Sequence, residues 1–157
     1  MNRRHVLGVL SSSAAAVVMP ALAAKALPRI EVFKSPTCGC CGAWVDHLKA
    51  AGFPVKVVEV DDTSVTRRRY GLPDKFASCH TGIVNGYVVE GHVPAVEVKR
   101  LLALKPSAVG LAVPGMPVGS PGMESGDRKD PYDVFLIDKN GRATVFTHYP
   151  KSGRSQT

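Results

Sequence analysis

Arg29-Ile30-Glu31-Val32-Phe33-Lys34-Ser35-Pro36-Thr37-Cys38-Gly39-Cys40-Cys41-Gly42 sets three thiols between a stretch with strand character and one with helix character. Residues 29–34 alternate charged and apolar side chains, the pattern of a half-buried strand. After the cysteines, Trp44, Val45, Leu48 and Ala51 recur at helical spacing on one face, which predicts a helix from Gly42 to Ala51. Gly52 and Pro54 are its stop signals. A strand, a cysteine turn and a helix in this order open an α/β unit.

Outward from there the pattern continues. Residues 55–60 are rich in β-branched side chains and predict a second strand. Asp61 or Asp62 can cap a short helix running to Tyr70, closed by Gly71 and Pro73. A loop over 74–78 leads to Cys79-His80. Residues 81–84 and 87–90 flank Asn85-Gly86, the strongest short signal for a hairpin. Pro94 suits the first turn of a helix through Val98, Leu101 and Leu102 that ends before Pro106. The resulting order, β-α-β-α-β-β-α, predicts a thioredoxin-like α/β fold with a central mixed sheet and flanking helices. Residues 113–124 are dominated by proline and glycine and repeat Pro-Gly-Met, with Met116 and Met123 as the repeated thioethers. Residues 132–137 and 142–147 flank a turn and predict an added C-terminal β-hairpin. The domain is read as residues 28–148, with a polar tail over 149–157.

Residues 1–23 have the build of a cleaved signal peptide: a basic start at Arg3-Arg4, an apolar stretch to Met19, and a small-x-small site at Ala21-Leu22-Ala23. The apolar stretch is too short to span a bilayer, so no membrane span is expected after signal removal. The Arg3-Arg4 pair followed by Val6-Leu7 also loosely fits a twin-arginine signal. A periplasmic location follows from either route. The formal charge of +7 includes Arg3 and Arg4, and the remaining positive charge is scattered. Arg67-Arg68-Arg69 is the one basic run. No aromatic residues interleave with it, which argues against a nucleic-acid platform and for a solvated helix face.

In an oxidising compartment four cysteines ordinarily imply two structural disulfides. Here adjacent Cys40 and Cys41 cannot pair without strain. A Cys38–Cys41 bridge closes a loop too small to stabilise much. The cluster therefore reads as functional. Thiolates at a helix start benefit from free N–H groups and the positive dipole end, which favours nucleophilic and metal-binding chemistry alike. Cys38-x-x-Cys41 has the spacing of a thiol–disulfide oxidoreductase pair, but Cys40 intrudes and no proline adjoins Cys79-His80 opposite the pair. Zinc and iron–sulfur signatures use wider spacing. Crowded thiolates suit Cu(I), which accepts few sulfurs and tolerates bridging in a polynuclear thiolate cluster. The metal set is thus Cys38, Cys40, Cys41 and Cys79, with His80, Met116 and Met123 as secondary candidates. His92 and His148 rank after these, and His47 is read as solvated.

Cys38-Gly-Cys-Cys41, Ser78-Cys79-His80-Thr81, Glu90-Gly91-His92-Val93-Pro94-Ala95 and the segment from Gly110 to Met123 together resemble the CopG-like family of exported copper-resistance proteins, formerly a domain of unknown function. The resemblance spans roughly residues 28–148. It implies a thioredoxin-like fold, a Cys-x-Cys-Cys copper site on Cys38, Cys40, Cys41 and Cys79, and a role in copper resistance, with other periplasmic copper-handling proteins as partners. No residue is assigned as catalytic. Storage, transfer and copper/thiol redox chemistry all stay open, and so does the oxidoreductase alternative on Cys38 and Cys41.

Overall fold

The computed structural model describes residues 26–150; the expected signal peptide and residues 151–157 lie outside the described residues. The elements are strand β1 (Ile30–Lys34), helix α1 (Gly39–Ala50), strand β2 (Val55–Glu59), helix α2 (Ser64–Arg69), a 3₁₀ turn (Asp74–Phe76), strands β3 (His80–Val84) and β4 (Tyr87–Glu90), helix α3 (Ala95–Leu104), and strands β5 (Ala108–Ala112), β6 (Tyr132–Asp138) and β7 (Ala143–Tyr149). The fold is mixed α/β. Among the described residues no helix is long and apolar enough to cross a membrane.

All seven strands form one sheet in the order β2-β1-β3-β4-β5-β6-β7. β1–β2 and β4–β5 run parallel, each joined by a helical crossover, and the other neighbours run antiparallel. The β3–β4 hairpin turns on Asn85 and Gly86, both with positive φ, as the sequence predicts. β5 has no counterpart in the sequence reading. Its five residues are all buried, so they show no alternation.

Two apolar cores line the two faces of the sheet. Trp44 and Leu48 of α1 and Val98 and Leu101 of α3 pack with Ile30, Val32, Val89 and Leu111 on one face. On the other, Leu72 and Phe76 cover Ile83, Val88, Val109 and Ile137. The C-terminal hairpin is tied back to α3 by the buried Glu97 carboxylate. It accepts from the Tyr149 hydroxyl (2.8 Å), the Thr147 hydroxyl (2.9 Å) and the Arg100 guanidinium (2.9 Å). The cysteine turn leaves β1 at the edge of the first core, where β3, the β4–α3 connection and the loop after β5 converge.

Candidate metal centre

α1 begins at Gly39, three residues earlier than its apolar pattern suggests, because the cysteines themselves form its first turn. Cys38 is the N-cap residue, and its N–H donates to Ser35 O at 3.2 Å. Cys38 and Cys41, the pair with oxidoreductase spacing in the sequence, are joined as a disulfide. The physical reason is the helix start itself, which brings the two Cα atoms to 5.4 Å, within disulfide range. Cys40 and Cys79 are thiols. Cys40 Sγ lies 3.6 Å from Cys38 Sγ, and the Cys41 sulfur lies 3.7 Å from the Cys79 carbonyl. All four sulfurs fall within 4.8 Å of one another.

Cys79 also belongs to a second constellation. His80 opens β3 and His92 follows β4, and both are fully buried. His80 Nε2–H donates to Gly91 O (3.0 Å), which leaves Nδ1 as an acceptor 3.3 Å from Cys79 Sγ. His92 Nδ1–H donates to Pro121 O (2.8 Å), which leaves Nε2 as an acceptor 3.3 Å from the same sulfur. A thiol carries one proton and faces two ring-nitrogen lone pairs, so one acceptor always goes without. A soft cation held at that point would meet the sulfur and both nitrogens together. These three ligand atoms lie within 4.8 Å of one another.

The protonation states suit such a role. Burial, with the neighbouring His92 second, holds the His80 imidazole down to about 3, so it stays neutral. Burial likewise lowers His92. Burial first, then the Cys40 sulfur, pushes the Cys79 thiol up to about 11. A desolvated, protonated thiol is a poor free nucleophile, but a metal ion can displace its proton.

Hydrogen bonds and packing tie down the frame around these side chains. Glu90 is buried, and its Oε1 accepts from the Ser78 N–H (2.8 Å) and from Arg67 Nη1 (3.0 Å), while Oε2 accepts from the Thr81 hydroxyl (2.7 Å). One carboxylate thus fixes the chain on both sides of Cys79-His80. Trp44 lies against His80, ring centroids 4.3 Å apart, and donates its Nε1–H to Val93 O (2.9 Å). Gly91, with φ +73°, brings its backbone so close that a Cβ would meet the Val113 carbonyl and, at 2.7 Å, the Ser78 side chain.

The Pro/Gly loop covers the cluster. Besides the Pro121 carbonyl on His92, Gly115 O accepts from the Ser78 hydroxyl (2.6 Å). Gly122 rests on the start of α1, where a Cβ would come within 2.7 Å of Trp44 N and 3.0 Å of Cys40 O. Met116 on this loop is about half exposed, and Met123 is partly buried. Its N–H donates to Ser120 O (2.8 Å).

The predicted site residues thus divide. Cys38, Cys40, Cys41, Cys79 and His80 come together, and His92 joins them. His148 does not: it pairs with Asp133 (2.7 Å) on the C-terminal hairpin. His47 is not simply solvated, since its Nε2 accepts the Ala95 N–H (3.0 Å) at the start of α3. Arg67 is not on a solvated face but is 6% exposed and paired with Glu90 and Asp74. Glu90 and Arg67 escaped the sequence reading because charged residues in a basic run or at a strand end signal solvent, not burial.

Residues 76–123, which carry Cys79, both buried histidines and the Pro/Gly loop, match the family described as a protein of unknown function, DUF411. No curated protein matches the chain. Two solved structures are similar to it, Form 2 and Form 1 of the copper resistance protein CopG. Each is 47% identical with a TM-score of 0.75; 79% of this chain is covered, with 99% and 98% of those chains.

Proposed function

Since this chain belongs to the CopG copper-resistance family, we propose that it is an exported protein that binds Cu(I) in the service of copper resistance. Cys38, Cys40, Cys41 and Cys79 hold the metal as cargo, and His80 and His92 complete the ligand set. The observation that carries this reading is the convergence of four sulfurs within 4.8 Å at a helix start. Soft thiolates and imidazoles at that density select Cu(I) and allow bridging between several ions. The frame is read as thioredoxin-like, which the β2-β1-β3-β4 order with α1 joining the parallel strands supports. The loop carrying Met116 and Met123 shields the site. The metal-bearing form is the reduced one, in which Cys38 and Cys41 are thiolates.

Anaerobic Cu(I) titration of the reduced protein tests this. Cys40→Ser and Cys79→Ser should each lower the copper stoichiometry. Unchanged stoichiometry in both would sink the four-thiolate site.

The Cys38–Cys41 disulfide favours a second reading, in which the site also moves electrons. Two Cu(II) ions each take one electron from the Cys38/Cys41 dithiol. One S–S bond forms, two protons leave, and two Cu(I) remain. A plain thiol–disulfide oxidoreductase would instead reduce a protein disulfide without metal. Insulin reduction by the metal-free reduced protein separates the two.

A further inference from the structure

The end of the sheet away from the cysteines has a surface of its own. β3 starts at His80 in the metal centre and ends at Val84. The register places the start of β4, the start of β5 and the end of β6 at that same far end. Two grooves open there, of about 370 and 310 Å³, and they adjoin at Asn85, which lines both. Leu27, Leu102, Lys99 and Lys105 line the first. Tyr87, Pro106 and Lys139 line the second. Leu104 ends α3 between Leu102 and Lys105 and is 62% exposed, a large apolar side chain standing in water.

The charge of this end is one-sided. Lys99, Lys105 and Lys139 are exposed, and none of them forms an ion pair among the described residues. Asp138, beside Lys139 in the chain, is taken up by Arg142 at 3.1 Å. The chain also enters here, since Ala26, Leu27 and Pro28 form a wall of the first groove. The residues before Ala26 include the apolar stretch of the expected signal peptide. Such a segment engaged in a bilayer tethers the domain by this end.

We propose that this end of the domain docks on an anionic phospholipid surface, with Lys99, Lys105 and Lys139 on the headgroup phosphates and Leu104 dipping between them. Exposed apolar side chains set among unpaired lysines have the chemistry of that interface: the alkyl group enters the acyl boundary and each ammonium adds electrostatic attraction. The entry of the chain at the same place favours a bilayer over an acidic protein. The metal centre then faces away from the lipid, roughly 15 Å off along β3. This goes beyond the copper-binding function proposed above and does not depend on it.

The test is co-sedimentation of the chain beginning at Ala24 with phosphatidylglycerol/phosphatidylcholine vesicles and with phosphatidylcholine vesicles alone. The parent should bind the anionic vesicles, leave them at high salt, and bind the neutral ones far less. Each lysine near the surface is worth about fivefold in partitioning, so Lys99→Gln, Lys105→Gln and Lys139→Gln combined should lose about a hundredfold. Leu104→Ser should weaken binding without changing its salt dependence. Lys129→Gln removes one charge beside Tyr132, at the metal-centre end of β6, and should stay close to the parent. Thermal melts report that the variants are folded. Three results overturn the proposal: no binding of the parent to anionic vesicles, equal binding to neutral ones, or parent-like binding by the triple variant. A loss in Lys129→Gln as large as in the triple variant also overturns it, since overall charge and not this face would then be responsible.

Discussion

Cys79 and His92 stand 13 residues apart in the chain, yet the Cys79 sulfur and His92 Nε2 meet at 3.3 Å. Pro121 O holds the other ring nitrogen, so the lone pair aimed at the sulfur is fixed by a third segment. Removing the imidazole takes away either a ligand or the group that orients one. His92→Ala is therefore expected to weaken Cu(I) binding by about 10–100-fold. Competition against a Cu(I) chelator of known affinity measures it, and unchanged affinity would put His92 outside the ligand set.

The Arg67–Glu90 pair makes a prediction about stability. Both side chains are buried, 7% and 0% exposed. Burial already raises the Glu90 carboxyl, against the pull of Thr81, Ser78 and Arg67. Arg67→Met leaves that carboxyl in the core without its cation, at an expected cost of ~3–5 kcal/mol. Glu90→Gln keeps an acceptor for the Ser78 N–H and should cost less. Urea denaturation of both variants checks the order, and equal losses would mean that the ion pair adds nothing beyond its hydrogen bonds.

These two residues mark where sequence reading stops. Local chemistry was legible: the Cys38–Cys41 turn, the Asn85-Gly86 hairpin and the β-α-β opening all announce themselves in composition and period. β5 did not, because Ala108-Val-Gly-Leu-Ala is short, wholly buried and without alternation. Nor did the burial of Lys34, Arg67 and Glu90, since a charge is buried only when the fold brings what satisfies it. His92 was visible as a candidate, but its rank depended on Pro121, 29 residues away. The spacing left a Cys38–Cys41 pair open, and the geometry of the helix start brings its Cα atoms to 5.4 Å.

Gly122 tests the covering loop. With φ +84° and a Cβ that would fall 2.7 Å from Trp44 N and 3.0 Å from Cys40 O, it tolerates no side chain, because the obstacles are backbone. Gly122→Ala must lift the loop from α1 and take the Pro121 carbonyl away from His92. The expected outcome is a lower melting temperature together with weaker Cu(I) binding. A parent-like affinity in a folded Gly122→Ala protein would show that the loop is not needed to hold His92.

The last prediction concerns pH and His47. Pro94, the N-cap residue of α3, gives no side-chain acceptor, and His47 Nε2 supplies one to the Ala95 N–H instead. Protonating His47 removes that lone pair and sets a positive charge at the positive end of the helix dipole. Burial lowers its pKa, and Glu124 opposes the shift only in part. A histidine whose folded pKa lies below its unfolded value binds fewer protons in the native state, so unfolding takes up protons as the pH falls. The contribution of His47 is whole above its unfolded pKa, about 6.5, and is lost as the pH drops through the lower, folded value. Buried His80 has the same sign, so the parent profile is a composite. His47→Gln offers Ala95 an acceptor that does not titrate. The fall in melting temperature between neutral pH and about pH 5 should therefore be smaller in His47→Gln than in the parent. An identical fall would show that His47 does not act as a titrating cap for α3.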